Sequence, residues 1–181
     1  VAHLHHLAGA DAAVINRVPH TLKAAWRERR ALEFTWRPQA PLNQSRAAAA
    51  GLPTHMLAYA LYDIPNTCGP DWDECARFDF ERPVAVPVTD ANVQQRADAL
   101  LRQYRLKSAH FRHPHLLVPL GDDFKYKTVA LTERMFQQYA RLAAHVNANT
   151  ARYNATVLFS TPSRYFRAAF AHHRAHTHHH F

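Results

Sequence analysis

The sequence predicts an α/β fold built on a parallel sheet. Apolar runs typical of strands alternate along the chain with amphipathic runs typical of helices. Hydrophobic residues make up 48% of 181 residues, which is enough for one core. With 4 Gly but 11 Pro, the elements are expected to be regular and joined by stiff connections. The alternation favours parallel strands with right-handed crossovers, in a sheet that is either open or closed into a barrel.

Five segments have the composition of strands, and four have the spacing of helices. The predicted strands cover residues 11–18, 32–36, 54–62, 115–123 and 152–161. The predicted helices cover residues 20–31, 90–111, 129–146 and 162–174. The helix over 90–111 has an apolar stripe made of Val93, Ala97, Leu100, Leu101 and Tyr104. The helix over 129–146 has an apolar face made of Met135, Phe136, Tyr139, Leu142, Ala143 and Val146. Thr89 is expected to cap the second helix, and Pro162 to occupy the first position of the last one. An Ala-rich connection flanked by prolines covers residues 38–53.

The net charge of +8 and the pI near 9.9 are compatible with nucleic acid or an anionic surface as a partner. However, the arginines are spread along the predicted helices, which favours solvated helix faces over a nucleic-acid patch. No run reaches the ~18 apolar residues of a membrane span. The chain starts at Val1 without a signal peptide, so we expect a piece of a longer protein, with any targeting segment outside it.

Polar residues gather where predicted strands end. They are Arg17, the pair Tyr62–Asp63, the pair Asp122–Asp123, and Ser160–Thr161. In parallel α/β sheets the chemistry lies at the carboxyl ends of strands, so this coincidence predicts a site.

The segment "PLGDDFKYK" places two carboxylates side by side after an apolar strand. Successive extended positions point apart, so Asp122 and Asp123 are expected to have different roles. One would be a general acid with a raised pKa, and the other would stay ionised and accept hydrogen bonds from hydroxyls, as glycosidases require. A plain turn at the strand end is the alternative. Tyr62 and Asp63 would hold a sugar hydroxyl, or would cap the sheet and start a turn.

Cys68 and Cys75 enclose a short loop. In a secretory compartment they would form a disulfide, whereas in the cytosol they would be unpaired thiols, and their spacing does not match a zinc ribbon. Two N-glycosylation sequons begin at Asn43 and Asn154 and weakly support a lumenal setting. A strand over residues 152–161 makes use of Asn154 less favourable.

The chain ends in "AHHRAHTHHHF", which has six histidines and could bind divalent metal adventitiously. A designed metal site is the less favoured interpretation. We expect a low-complexity tail.

Three segments carry a specific family resemblance, which runs from about residue 8 to residue 166. They are "LEFTWRP", "THMLAYALYDIPNTCGPDWDECARFDFER" and "DANVQQRADALLRQYRLKSAHFRHPHLLVPLGDDFKYK". They resemble the catalytic region of glycoside hydrolase family 38, and its Golgi α-mannosidase branch in particular. The resemblance implies part of a seven-stranded parallel β/α barrel over residues 1–166. Residues 167–181 are expected to be a His-rich tail outside the family pattern.

The resemblance also implies roles for individual residues. Asp123 matches the general acid/base, and Asp122 the neighbouring carboxylate that helps to hold substrate. Tyr62 and Asp63 match the pair that lines the mannose pocket, and Arg17 matches an active-site arginine. The implied reaction is retaining hydrolysis of α-mannosides, with mannose-containing N-glycans as substrates in the Golgi lumen.

Further expectations follow from the same resemblance. Cys68 and Cys75 match a disulfide of the Golgi branch. The family depends on zinc, whose ligands, like the nucleophile, are expected outside this chain, so the isolated chain should be inactive. The remainder of the catalytic domain is then a partner, and membrane anchoring would come only through a missing N-terminal segment. The alternatives are a lysosomal or vacuolar α-mannosidase of broad specificity, and a non-catalytic, truncated carbohydrate-binding product.

Overall fold

The computed structural model describes residues 2–37, 51–59, 67–121 and 124–176. These residues form two compact units, which are described separately. The first unit draws on residues 1–58, 110–115 and 162–181, and the second on residues 59–109 and 116–161. Numbered in chain order, the elements are α1 Ala2–Leu7, β1 Ala13–Ile15, α2 His20–Glu28, β2 Glu33–Trp36, β3 Leu52–Met56, α3 Trp72–Ala76, α4 Val93–Ser108, α5 Val129–Ala148, α6 Thr150–Tyr153 and α7 Pro162–His176.

The first unit contains a three-stranded sheet in the order β1-β3-β2. β1 is parallel to β3, with Ile15 opposite Met56. β2 is antiparallel to β3, with Glu33 opposite His55. The three strands therefore confirm an α/β chain, but the prediction of a purely parallel sheet is wrong for β2. The described strands do not close into a barrel.

The second unit is built on helices α4 and α5. The stripe predicted for α4 is confirmed, because Ala97, Leu100 and Leu101 are buried. In α5, Phe136 departs from the predicted apolar face, since it is 56% exposed and stacks on Phe159. The remaining core residues come from α4, α5, α6 and residues 68–88, and they are Cys68, Cys75, Ala76, Phe78, Phe80, Val88, Ala99, Met135, Tyr139, Leu142, Val146 and Tyr153.

Two of the five predicted strands are wrong. Residues 115–121 form no strand, and α6 replaces the start of the segment 152–161, whose remainder is irregular. In that segment the Asn147 side chain donates to the Val157 carbonyl at 2.9 Å and accepts from its N–H at 2.8 Å. A side chain thus satisfies backbone groups that a neighbouring strand would otherwise pair. Ser160 and Thr161 consequently do not end a strand.

The helix predictions are confirmed, with small changes at the ends. The cap of α4 is Asn92 rather than Thr89, and the Asn92 side chain accepts from the Thr89 N–H at 2.8 Å. α7 begins at Pro162, as predicted. Among the described residues, no helix has both the length and the apolar character that crossing a membrane requires.

Candidate functional site

Arg17 lies two residues beyond the carboxyl end of β1. Because β1 and β3 are parallel and in register, the same edge of the sheet is where β3 ends, and the Leu57 N–H donates to the Ile15 carbonyl at 2.9 Å there. Lys23 of α2 donates to the Asn16 side chain at 2.7 Å and so fixes the residue that precedes Arg17. The Arg17 side chain is exposed at this edge. The chain leaves β3 at the same edge, and Tyr62 and Asp63 follow later in the sequence.

The loop that carries the two cysteines is closed covalently. Cys68 and Cys75 form a disulfide, as the resemblance implied, and both are fully buried. The loop is not wholly irregular, since α3 begins inside it and Asp71 caps that helix by accepting from the Glu74 N–H at 3.0 Å. Gly69 lies so close to α4 that a Cβ there would approach the Gln103 carbonyl oxygen to 2.6 Å. The disulfide and this close approach seat the loop on the core of the second unit.

The described residues on either side of Asp122 and Asp123 lie close to each other. Gly121 adopts φ +135°, a conformation that residues other than glycine rarely adopt. A Cβ at Gly121 would meet the Cε2 atom of Tyr126 at 3.2 Å, so the Tyr126 ring lies directly over the glycine. Phe124 and Tyr126 both have positive φ, which turns the chain sharply after the two aspartates.

Lys125 and Tyr126, which follow the two aspartates, are attached to the chain that follows the disulfide. Lys125 Nζ contacts both carboxylate oxygens of Asp79 at 2.8 Å and a carboxylate oxygen of Glu81 at 3.5 Å. The Tyr126 N–H donates to Glu81 at 3.0 Å. The Asp79 side chain is 7% exposed, and Arg82 contacts it at 2.8 Å. Burial, together with the charges of Glu81 and Asp79, raises the pKa of Tyr126, so the phenol stays neutral. The two motifs of the family resemblance are therefore connected inside the second unit.

Four of the predicted site residues, Tyr62, Asp63, Asp122 and Asp123, lie outside the described residues. Their convergence on one pocket stays a prediction. What the structure describes is the sheet edge at Arg17 and the residues that flank the other two pairs.

A buried polar network in the first unit was missed by the sequence analysis. Its centre is Glu33 of β2, which faces His55 across the strand pair. Glu33 Oε1 accepts from His55 Nδ1 at 3.0 Å and from the Tyr165 hydroxyl at 2.7 Å. Glu33 Oε2 lies 2.7 Å from His113 Nε2. The network thus joins the sheet, residues 110–115 and α7.

The hydrogen-bond pattern fixes the protons of this network. The His115 N–H donates to His113 Nδ1 at 3.2 Å, so the proton of a neutral His113 is on Nε2, facing Glu33. Burial acts to raise the pKa of Glu33, but the bonds and charges of His113 and His55 outweigh it and lower the pKa from 4.5 to about 2. Burial, the Glu33 charge and its hydrogen bond raise the pKa of Tyr165, which therefore stays protonated and donates. Glu33 is a carboxylate that accepts from His55 and from the Tyr165 hydroxyl and lies against a nitrogen of His113.

Two sequence signals could have revealed this network. Glu33 stands in "LEFTW", an otherwise apolar strand, and His55 interrupts the apolar run "THMLAYALY". A polar residue buried in a strand needs a partner. What the sequence lacks is any indication that His113 and Tyr165, which lie 58 and 110 residues beyond His55, supply the other donors.

No group of three or more His, Cys, Asp or Glu side chains within the described ranges is arranged to hold a metal ion. The rings of His113, His115 and His172 lie 5.7–6.3 Å apart between centroids. They are not arranged around a metal, because Glu33 Oε2 lies 2.7 Å from His113 Nε2 and the His115 N–H donates to His113 Nδ1. The described donors therefore do not match a zinc centre.

Comparison with known families shows that the chain belongs to the glycosyl hydrolases. The family model described as "Glycosyl hydrolases family 38 N-terminal domain" matches residues 1–181, and the chain is a member of that family. The chain is 36% identical over 179 residues to human "Alpha-mannosidase 2", and the matched region covers 93% of the chain and 15% of that protein. It is 38% identical over 166 residues to "Alpha-mannosidase 2" of Drosophila melanogaster, covering 86% of the chain and 14% of that protein.

Human "Epididymis-specific alpha-mannosidase" is 32% identical over 180 residues, covering 93% of the chain and 17% of that protein. The chain thus spans about 15% of the length of the curated relatives that it matches.

Proposed function

We propose that the protein is an α-mannosidase that removes mannose from N-glycans, and that this chain supplies the general acid half of its active site. Asp123 is the acid/base, Asp122 holds substrate beside it, and Tyr62, Asp63 and Arg17 line the mannose pocket. The nucleophilic carboxylate and the zinc ligands belong to parts of the enzyme outside this chain. A zinc ion held by those ligands would supply Lewis-acid chemistry.

The observation that carries this proposal is the attachment of the residues that follow Asp122 and Asp123 to the chain after the disulfide. A general acid must be held at a fixed distance from the oxygen that it protonates. The Lys125–Asp79 ion pair at 2.8 Å holds the chain two residues after Asp123, and the Tyr126 ring over Gly121 holds it immediately before Asp122. Flanking residues held in this way suit a pair of carboxylates with separate tasks better than they suit a plain turn.

The chemistry that we propose is double displacement with retention. Asp123 protonates the departing glycosidic oxygen while a carboxylate attacks the anomeric carbon, and Asp123 then takes a proton from the water that releases mannose. The two carboxyl groups of retaining enzymes lie about 5 Å apart. In the complete enzyme we propose that β1 and β3 are two strands of a parallel β/α barrel, because they are parallel and Arg17 follows the carboxyl end of one of them.

The disulfide supports the proposed location. Disulfides form and persist in oxidising compartments, which agrees with the lumen of the Golgi apparatus as the place of action. Membrane attachment would come from a segment outside this chain.

The full-length protein tests this proposal directly. Incubated with an aryl α-mannoside, it should release mannose whose first-formed anomer, observed by proton NMR, is α. An aryl β-mannoside serves as the matched control and should stay intact. Absence of turnover by the folded full-length protein would overturn the proposal of an α-mannosidase, and release of β-mannose would overturn the retaining mechanism.

A further inference from the structure

The sequon Asn154-Ala155-Thr156 lies in a different environment from the one that the sequence predicts. No strand passes through it. Asn154 is the residue after α6, in the left-handed conformation with φ 44° and ψ 45°. Its N–H donates to the Thr150 carbonyl at 2.7 Å and ends the helix. The objection that a paired strand would hide Asn154 is therefore removed.

Both recognition residues of the sequon point outwards. Asn154 and Thr156 are exposed, whereas Ala155 and Val157 are half-buried and pack against the core of the second unit. Within the part of the chain that the structure describes, the Asn154 side chain makes no hydrogen bond. Its amide nitrogen is thus available for modification, with Thr156 on the same outer side.

This exposure is fixed by the fold. Arg105 of α4 donates to the Tyr153 carbonyl at 2.8 Å, immediately before Asn154. Asn147 of α5 holds both backbone groups of Val157. With the chain pinned on both sides, the outward direction of Asn154 belongs to the folded unit. A glycan added to the nascent chain would thus remain in solvent after folding.

Asparagine alone would be weak evidence, because it is favoured at left-handed helix ends for conformational reasons. The exposed Thr156 two residues later supplies the second half of the acceptor motif. We propose that Asn154 carries an N-linked glycan in the mature protein, an inference that rests on the lumenal location included in the proposed function.

The modification is a glycosyl transfer to the asparagine side chain. The Nδ2 atom of Asn154 attacks the anomeric carbon of a lipid-diphosphate-linked oligosaccharide. A C–N bond forms, the bond from that carbon to the diphosphate oxygen breaks, and Nδ2 loses one proton. The lipid diphosphate leaves, and nothing is oxidised or reduced.

The test uses the full-length protein, directed into the secretory pathway of a eukaryotic host by a cleavable signal and recovered in soluble form. Enzymatic release of N-glycans in heavy-oxygen water converts each occupied asparagine to a labelled aspartate, which peptide mass spectrometry locates. We expect label at Asn154 in most molecules. The variant Thr156→Ala, which keeps the helix-ending asparagine, should lose this label completely, whereas Thr156→Ser should retain it at a lower level.

Ser45→Ala is the matched control, because it removes the other sequon, at Asn43, and should leave the label at Asn154 unchanged. An unlabelled Asn154 in the soluble, secreted protein overturns the inference, as does label found only in the aggregated fraction. α-Mannosidase activity is measured on the same samples. Activity without label rejects only the glycosylation site, and label without activity rejects only the proposed function.

Discussion

Replacing Glu33 by Gln probes the buried network at its centre. Glutamine keeps the shape of the side chain but replaces one oxygen with an NH2 group, which cannot accept from Tyr165 and cannot attract the nearby His113 nitrogen. One of these contacts, both with buried residues, is then lost. Because the network joins the sheet to α7 and to residues 110–115, the whole first unit should be destabilised.

Two independent routes give a similar magnitude. The pKa of Glu33 falls from 4.5 to about 2, and at about 1.36 kcal/mol per pKa unit this corresponds to about 3 kcal/mol. The Glu33 side chain is only 12% exposed, so solvent screens this little. A buried donor without a partner costs about 1–3 kcal/mol by itself. We therefore expect the free energy of unfolding of the first unit to fall by about 3 kcal/mol.

The assay is hydrogen exchange of the full-length protein, read in peptides that cover β2, β3 and residues 110–115. In the regime where exchange reports the opening equilibrium, about 3 kcal/mol makes exchange roughly a hundredfold faster. Because the folded pKa is depressed, the stabilisation is present above pH 4.5 and is lost as the pH falls towards about 2. The difference between wild type and Glu33→Gln should shrink over that interval.

Glu28→Gln is the matched control, since Glu28 is an exposed carboxylate at the end of α2. It should leave exchange unchanged. Equal protection in wild type and Glu33→Gln at pH 7 would refute the reasoning, and so would a difference that persists unchanged down to pH 2.

Two further predictions concern the loop that holds the proposed acid. Asp79→Asn removes the partner of Lys125. Breaking a buried ion pair costs about 3–5 kcal/mol, and the cost is smaller here because Glu81 remains 3.5 Å from Lys125. We expect kcat/KM on an aryl α-mannoside to fall at least tenfold, whereas Asp90→Asn, which removes an exposed ion pair, should change it less than twofold. Equal effects of the two substitutions would contradict the proposed positioning. Gly121→Ala forces a side chain into φ +135° against the adjacent ring, so kcat should fall while the Tm of the protein drops by a few degrees, and unchanged kinetics would show that the loop tolerates displacement.

The sequence predicts the helices and the sheet edge well, for physical reasons. The stripe of α4 and the proline that opens α7 are local signals, and each reflects an interaction within a few residues. The same holds for Arg17, which follows an apolar run that becomes β1. The disulfide came from family resemblance, because cysteine spacing alone left the thiol alternative open.

What the sequence could not predict depends on distant contacts. The alternating pattern at residues 154–158 is typical of a strand, but the side chain of Asn147 satisfies Val157 in place of a partner strand. Likewise, β2 pairs antiparallel with β3, although alternating strands and helices favour parallel pairing. The hydrogen bond between Lys125 and Asp79 joins residues that are 46 positions apart in the sequence, so no local pattern predicts it. Long-range polar partners are thus the part of the fold that pattern analysis misses.

The most direct test of the central proposal is the leaving-group dependence of Asp123→Asn in the full-length enzyme. A general acid contributes typically about 100-fold to 10,000-fold when the leaving group needs a proton. We therefore predict a loss of that size in kcat/KM for an alkyl or oligosaccharide α-mannoside. For a dinitrophenyl α-mannoside, whose dinitrophenolate leaves without protonation, the loss should be less than tenfold. Azide should restore turnover of this substrate. An equal loss on both substrates, or no loss on either, would contradict the assignment of Asp123 as the acid.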